Sequence, residues 1–370
     1  MNPDVSRTGH ARLPANGWRG AVYSKVAFPL FRRLRSVNPL VVYYHVVSDG
    51  KLPHIENLYS FRNSAQFEAD LEVLLHYYRP LSLRDFLASL ANETELPRDS
   101  FLLTFDDGLK QCYDVVAPIL KRKGIPATFF LCSGFLDNKD LAYDLKKSLL
   151  ANHLRAHKPG REQERRVRSV LEQAGIRRQD CATAVLSVKY GQKKSLDEIS
   201  ELLDYDFSAF LEKEQPYLSS TQVFELITLG HAIGSHSIDH PRYADLSLAD
   251  QLHQTRESTR FVKERFSLKY SAFSFPHSDA EVSLDFFDEI FNQGTLDVCF
   301  GNRGLLEDPV SRNIQRTSME KTYMSAEAIL GKSYARAFGK SMAGQGLIQR
   351  PHNARETQSS IEICDLTVSK

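Results

Sequence analysis

Two places in this 370-residue chain bring together side chains that could do hydrolytic chemistry. The first is Leu102-Leu103-Thr104-Phe105-Asp106-Asp107-Gly108, where adjacent carboxylates follow an apolar, strand-like run. Neighbouring carboxylates resist ionising together unless a cation sits nearby, so the pair suggests a metal or a divided acid and base role. Asp-Gly is also ordinary turn chemistry, and the segment alone allows either reading. The second place is Gly234-Ser235-His236-Ser237-Ile238-Asp239-His240-Pro241, again directly after a short apolar run. Two imidazoles four residues apart, on a segment stiffened by Pro241, can face one cation, and neutral imidazole suits zinc or another first-row metal. His153 and His157 have the same spacing inside a basic stretch, where solvated side chains are the expectation. Together the two motifs offer one Asp and two His, a three-ligand set that leaves positions open for water and substrate.

The elements that must position these groups are legible between residues 40 and 320, where short apolar runs alternate with amphipathic helical stretches. That alternation is the pattern of βα units around a mainly parallel sheet or barrel, an α/β fold. Strands are expected at 40–47, 101–105, 127–132, 232–235, 271–275 and 296–300. Several are apolar throughout, so helices should cover both faces or surround a closed barrel. Ser64 opens one helix, Ser219 with Gln222 forms a capping box for another that Gly230 stops, and a third runs from Ser247 to Phe266. Residues 140–215 break the rhythm with a charged, helix-prone run that reads as a helical insertion in a barrel spanning 39–338. The polar stretch 339–370 lacks periodicity and is expected to be a loosely ordered tail.

Forty-seven Lys and Arg against 46 Asp and Glu give a net charge of +1, which excludes a global field drawing the chain to nucleic acid. Residues 1–40 and 146–180 nevertheless carry local excesses of +6 each. The five cysteines are scattered, with no CxxC pair, so neither a disulfide framework nor a structural zinc cluster is expected. A GxSxG elbow and a GxxxxGK[ST] loop are both lacking, which leaves serine-hydrolase and P-loop readings without support.

The motifs TFDDG at 104–108, HSxxHP at 236–241 and Phe275-Pro276 resemble the signature of the polysaccharide deacetylases, the NodB-homology or carbohydrate esterase family 4 enzymes. The resemblance extends over residues 40–140 and 216–320. It implies a distorted (β/α) barrel, a divalent metal that is often zinc, and hydrolysis of N-acetyl or O-acetyl groups on a sugar. Carried over by position, Asp107, His236 and His240 would be the metal ligands and Asp106 the general base. The backbone N–H of His277 would steady the oxyanion. Two positions depart from the pattern. Ser274 stands where relatives carry an Arg that orients the base, and the late Leu-x-His motif that supplies the general acid is missing. Arg316 is the candidate to orient Asp106 and, with His277, is grouped among residues that contact substrate. His45 is the candidate acid, because Tyr43-Tyr44-His45-Val46-Val47 is similar to the YHxV segment of a subgroup that includes biofilm poly-N-acetylglucosamine deacetylases.

The expected substrate is an acetylated glycan, with N-acetylated hexosamine units preferred. An O-acetyl esterase and a catalytically silent glycan-binding barrel are the alternatives. Residues 1–38 form a basic amphipathic segment, kinked at Pro29, that can lie on an anionic membrane surface or pack on the barrel; packing is the preferred reading. No secretory leader and no apolar run of about 18 residues is evident, so a cytoplasmic address is expected. A peripheral contact with the inner membrane or a lipid-linked sugar would follow if the N-terminal segment binds lipid.

Overall fold

The computed structural model describes residues 28–35 and 37–352. Within them nine strands form a single sheet, six of them from the apolar runs, and every pairing is parallel. In chain order they are β1 (Leu40–Tyr44), β2 (Arg79–Pro80), β3 (Ser100–Phe105), β4 (Thr128–Leu131), β5 (Ala232–Ser235), β6 (Ala272–Ser274), β7 (Val298–Gly301), β8 (Asn313–Gln315) and β9 (Thr317–Ser318). Their spatial order is β8-β7-β6-β5-β4-β3-β1-β9, with β2 paired to β3. The two edge strands, β8 and β9, are separated in sequence by Arg316 alone, so the chain itself spans the gap in a nearly closed barrel. Strands β3, β4 and β7 are buried along their whole length, which explains their unbroken apolar character.

Several strands are shorter than their apolar runs. β1 stops at Tyr44 rather than Val47, β6 covers Ala272–Ser274 rather than 271–275, and β7 covers Val298–Gly301 rather than 296–300. The chain leaves the sheet early where it turns site residues into the barrel mouth. β2, β8 and β9 have only two or three residues each, too few to show a period.

The helix ends follow their capping residues. Asn63 and Gln66 form a reciprocal box before helix Ser64–Tyr77, Ser219 and Gln222 do the same for Ser220–Thr228, and Ser247 caps Leu248–Arg265. Within 140–215, helices Tyr143–Ala156, Arg161–Gln173, Cys181–Val185, Lys194–Leu202 and Phe207–Glu214 are present. They enclose an apolar cluster of their own that includes Leu150, Val167, Val185, Leu196 and Ile199.

One expectation for the chain ends changes. The stretch after Gly339 is not loose in its described part: helix Ala326–Met342 runs past that point, and Arg350 is buried against Asp279 at 2.6 Å and Asp308. Near the other end, Pro29 is the second residue of helix Phe28–Leu34, and the expected kink there involves residues before 28, which lie outside the described residues. That helix packs on the barrel through Phe28, whose ring lies 4.8 Å from Tyr77, and through Arg32, which pairs with Asp99. Most of the basic segment, residues 1–27, and Cys364 lie outside the described residues. No helix among the described residues is long and apolar enough to cross a membrane.

Candidate metal centre and active site

The site is assembled at the carboxyl ends of the parallel strands, the face on which a βα barrel gathers residues from distant parts of the sequence. His45 follows β1, Asp106 and Asp107 follow β3, His236 follows β5, Ser274 ends β6, and Glu320 comes two residues after β9. Strand register then decides which of them meet. Tyr44 is level with Phe105, which sets His45 beside Asp106 in the next row. Tyr43 is level with Ser318, which carries His45 to Glu320 two residues on. Ser235 is level with Phe273, which carries His236 to Ser274.

Asp107, His236 and His240 converge as the spacing suggests. Asp107 Oδ1 lies 3.5 Å from His236 Nε2 and 3.3 Å from His240 Nε2. This oxygen is buried and has no hydrogen-bond donor, whereas Oδ2 accepts the Tyr59 hydroxyl at 3.1 Å. One carboxylate oxygen is thus occupied and the other is left facing two imidazoles. The far nitrogen of His236 is hydrogen-bonded, and that of His240 faces a carboxylate. His236 Nδ1 lies 2.8 Å from the Ser274 carbonyl, and His240 Nδ1 lies 3.6 Å from Asp144 Oδ2. Donation from Nδ1 to a carbonyl leaves Nε2 with its lone pair, the tautomer a ligand needs. An Asp and two imidazoles with open positions around them suit a divalent ion such as zinc. The backbone is held unusually here: Asp107 (φ 70°), Ser237 (φ 69°), His240 (φ 61°) and His277 (φ 55°) are all left-handed without being glycine. Such strain persists only where the surroundings over-determine it, and it gathers at functional sites. Gly108 continues the turn at φ 69°, with Leu131 so close that a Cβ would sit 3.1 Å from its Cδ2.

Charges around the triad are strongly coupled. Burial works against the Asp107 carboxylate, but the His240 and His236 imidazoles prevail and hold it well below its usual range. Burial likewise opposes the His240 imidazolium, while Asp107 and Asp144 raise its pKa to about 10. Carboxylates on both edges of one ring demand positive charge at this point, supplied by a proton or a metal ion.

Asp106 is 2% exposed and lies against Arg316 in a two-pronged pair, with Nη1–Oδ1 at 2.9 Å and Nη2–Oδ2 at 2.7 Å. Ser274 Oγ donates to Oδ1 at 3.1 Å and accepts from Arg316 Nη2 at 2.6 Å. Burial would raise this carboxyl, but Arg316, with help from His236 and His45, brings it below its ordinary value. Arg316 therefore orients Asp106. Its side chain is buried beneath that carboxylate, and the residue also borders a cavity next to the site.

His45 Nδ1 is 2.6 Å from Glu320 Oε2, while the other Glu320 oxygen accepts the backbone N–H of His45 at 2.7 Å. Tyr59 stacks on the imidazole at 4.5 Å. Burial disfavours the charged ring, but Glu320 outweighs it and the pKa rises to about 9. His277 stands at the rim with its ring 4.6 Å from that of His240, and burial followed by the His240 charge lowers its pKa to about 4. Its backbone N–H makes no hydrogen bond among the described residues, and its carbonyl accepts from Asn302. His231 is apart from the site, accepting the Ala127 N–H at 3.2 Å. His153 and His157 are also remote and stack on each other at 4.7 Å.

His45, Tyr59, Asp106, Asp107, His236, His240 and His277 face a cavity of about 430 Å³, into which the insertion sends Asp144, Leu145, Lys147 and Leu186. Glu320, Tyr59 and Asp144 escaped the sequence reading. Glu320 follows a two-residue strand, and Tyr59 lies in an irregular loop; neither has a period to mark it. Asp144 opens an insertion that looks like a solvated charge run, although the residue is 9% exposed and paired with Lys147 at 2.5 Å.

Residues 93–174 match the family model for polysaccharide deacetylase. No curated protein sequence matches the chain significantly. Among solved structures, the Streptococcus pyogenes deacetylase PplD in complex with acetate aligns with a TM-score of 0.50 at 16% identity, over 80% of this chain and 97% of that one. IcaB from Ammonifex degensii aligns at 0.48 and 17%, over 80% and 96%. A de-N-acetylase from Aggregatibacter actinomycetemcomitans aligns at 0.45 and 14%, over 78% and 95%. At 16% identity the likeness to PplD speaks to fold alone.

Proposed function

We propose, for a chain that carries a polysaccharide deacetylase domain, that it hydrolyses N-acetyl groups of hexosamine units in a polysaccharide or lipid-linked glycan and releases acetate. Asp107, His236 and His240 would hold a divalent ion such as zinc through one carboxylate oxygen and two imidazole nitrogens. When bound, such an ion acidifies water and polarises an acyl oxygen. Asp106, kept ionised and fixed by Arg316 and Ser274, accepts the proton of the attacking water. The free N–H of His277 is placed at the rim to donate to the developing oxyanion. His45, charged through Glu320, delivers a proton to the departing nitrogen.

The observation that carries this reading is the filling of both departures from the family pattern. Arg316 arrives from the β8–β9 junction to tether Asp106, and the His45–Glu320 pair stands across the cleft as a proton donor. A glycan-binding barrel without turnover has no need of either device. The donor also favours amides over esters, because an amine departs only after protonation whereas an alkoxide depends on it less. Incubating the metal-loaded protein with N-acetylglucosamine oligosaccharides and with an O-acetylated glycan tests this. Acetate and free amine should appear in equal amounts from the first; acetate from the O-acetylated glycan alone would select the esterase, and none from either would select the binding barrel.

A further inference from the structure

A second cavity, of about 440 Å³, adjoins the metal-ligand cleft, and both are bordered by Tyr43, His277 and Asn302. Arg303, Lys321 and Arg336 line it together with Arg316, whose charge is matched by Asp106, and no Asp or Glu does. The side chains of Arg303, Lys321 and Arg336 form no ion pair or hydrogen bond among the described residues. This sets them apart from the buried Arg62, Arg316 and Arg350, each matched by a carboxylate. Lys321 is half-buried, and its ammonium is held below its ordinary value by burial and then by the like charges of Lys332 and Arg336. Thr317 borders the same cavity at 4% exposure, with a buried Oγ1 that has no partner. Gathered cations repel one another, and a buried hydroxyl without a partner costs free energy, so both features are relieved by one ligand rich in negative oxygen.

We propose that this cavity binds a phosphate group carried by the substrate, beside the sugar that enters the metal-ligand cleft. Three cations exceed what a single neutral sugar or one carboxylate would match, whereas a phosphate monoester brings up to two charges and several acceptor oxygens. Arg303 and Arg336 can each present two N–H groups to such oxygens, and Lys321 acts as a point charge. The shared wall makes the two cavities neighbouring subsites, so the phosphate would belong to the acetylated unit or its immediate linkage. The inference rests on reading the adjoining cleft as the deacetylation site, but the phosphate subsite is tested by binding alone, independently of acetate release.

Calorimetric titration of the full-length protein, wild type and Asp107→Asn, with N-acetylglucosamine phosphate, N-acetylglucosamine and farnesyl phosphate provides that test. The sugar phosphate should bind about tenfold or more tightly than the neutral sugar in both proteins. The Lys321→Gln/Arg336→Gln double variant should lose that margin, and Arg303→Gln, at an exposed side chain, should reduce it if the double variant fails to fold. Stronger binding of farnesyl phosphate than of the sugar phosphate would assign the group to a lipid carrier, and weaker binding would assign it to a soluble or polymeric glycan. Equal affinity for phosphorylated and neutral sugar would overturn the proposal. So would a preference for phosphate that disappears in Asp107→Asn, since that places the anion at the metal ligands, or one that survives in every cation variant.

Discussion

At the scale of single residues, the site depends on which oxygen or nitrogen each neighbour occupies. Tyr59 takes one oxygen of Asp107 and leaves the other to the imidazoles; the Ser274 carbonyl takes one nitrogen of His236 and leaves the other free to ligate. Glu320 does the equivalent for His45 by supplying the charge that keeps its proton. Replacing His45 with Ala should lower kcat by about 10²- to 10⁴-fold, the usual contribution of a placed acid, with acetate release as the readout. Glu320→Gln should act differently. The alkaline limb of kcat/KM, expected near pH 9 in the wild type, should move toward the ordinary histidine range near 6.5, and an unmoved limb would remove His45 from the role. The sign for stability follows from the same raised pKa: the pair's contribution is complete below about pH 6.5 and is lost as pH rises through about 9. Arg316→Ala leaves Asp106 buried without its guanidinium and should cost about 3–5 kcal/mol in denaturant unfolding. Arg316→Lys keeps a charge but loses the two-pronged geometry, so its main effect should be on kcat.

At the scale of elements, the barrel strands deliver the proposed catalytic groups while the insertion completes the cleft. Helix Tyr143–Ala156 begins with Tyr143 and Asp144 at the His240 and His277 side of the site and continues through Leu150 into the insertion's own core. Asp144→Asn should weaken metal affinity about 10- to 100-fold, as measured by chelator competition, because it removes the negative charge facing the far nitrogen of His240, a proposed ligand. Unchanged affinity would mean that His240 is fixed by its strained backbone instead. Leu150→Ala, fully buried in the insertion core, should cost about 2–5 kcal/mol in unfolding. The barrel strands and capped helices were readable because unbroken apolar runs and Ser or Asn caps are local signals. Asp106, Asp107, His236 and His240 were readable for the same reason, since each follows such a run. Glu320 and Asp144 were not, because their partners lie 275 and 96 residues away in sequence and are brought close only by strand register and by the insertion folding back.

At the scale of the whole molecule, the nearly closed ring explains how Arg316 reaches Asp106 from another strand. The β8–β9 junction crosses the gap between the sheet's edges, so a side chain there points at the ends of β3 and β6 from the opposite side. Closure also ties the remote ends of the described chain to the barrel. Helix Phe28–Leu34 packs on helix Ala326–Met342, and Arg350 anchors the last described residues to Asp279. Every step of the chemistry nonetheless converges on the Asp107, His236 and His240 set. Elemental analysis of the purified full-length protein, wild type beside Asp107→Asn and His236→Ala, measures that set without requiring the right sugar. The account predicts about one divalent ion per wild-type chain and loss of that ion in both variants. A wild-type protein that stays metal-free after addition of zinc, or variants that keep the ion, would contradict it.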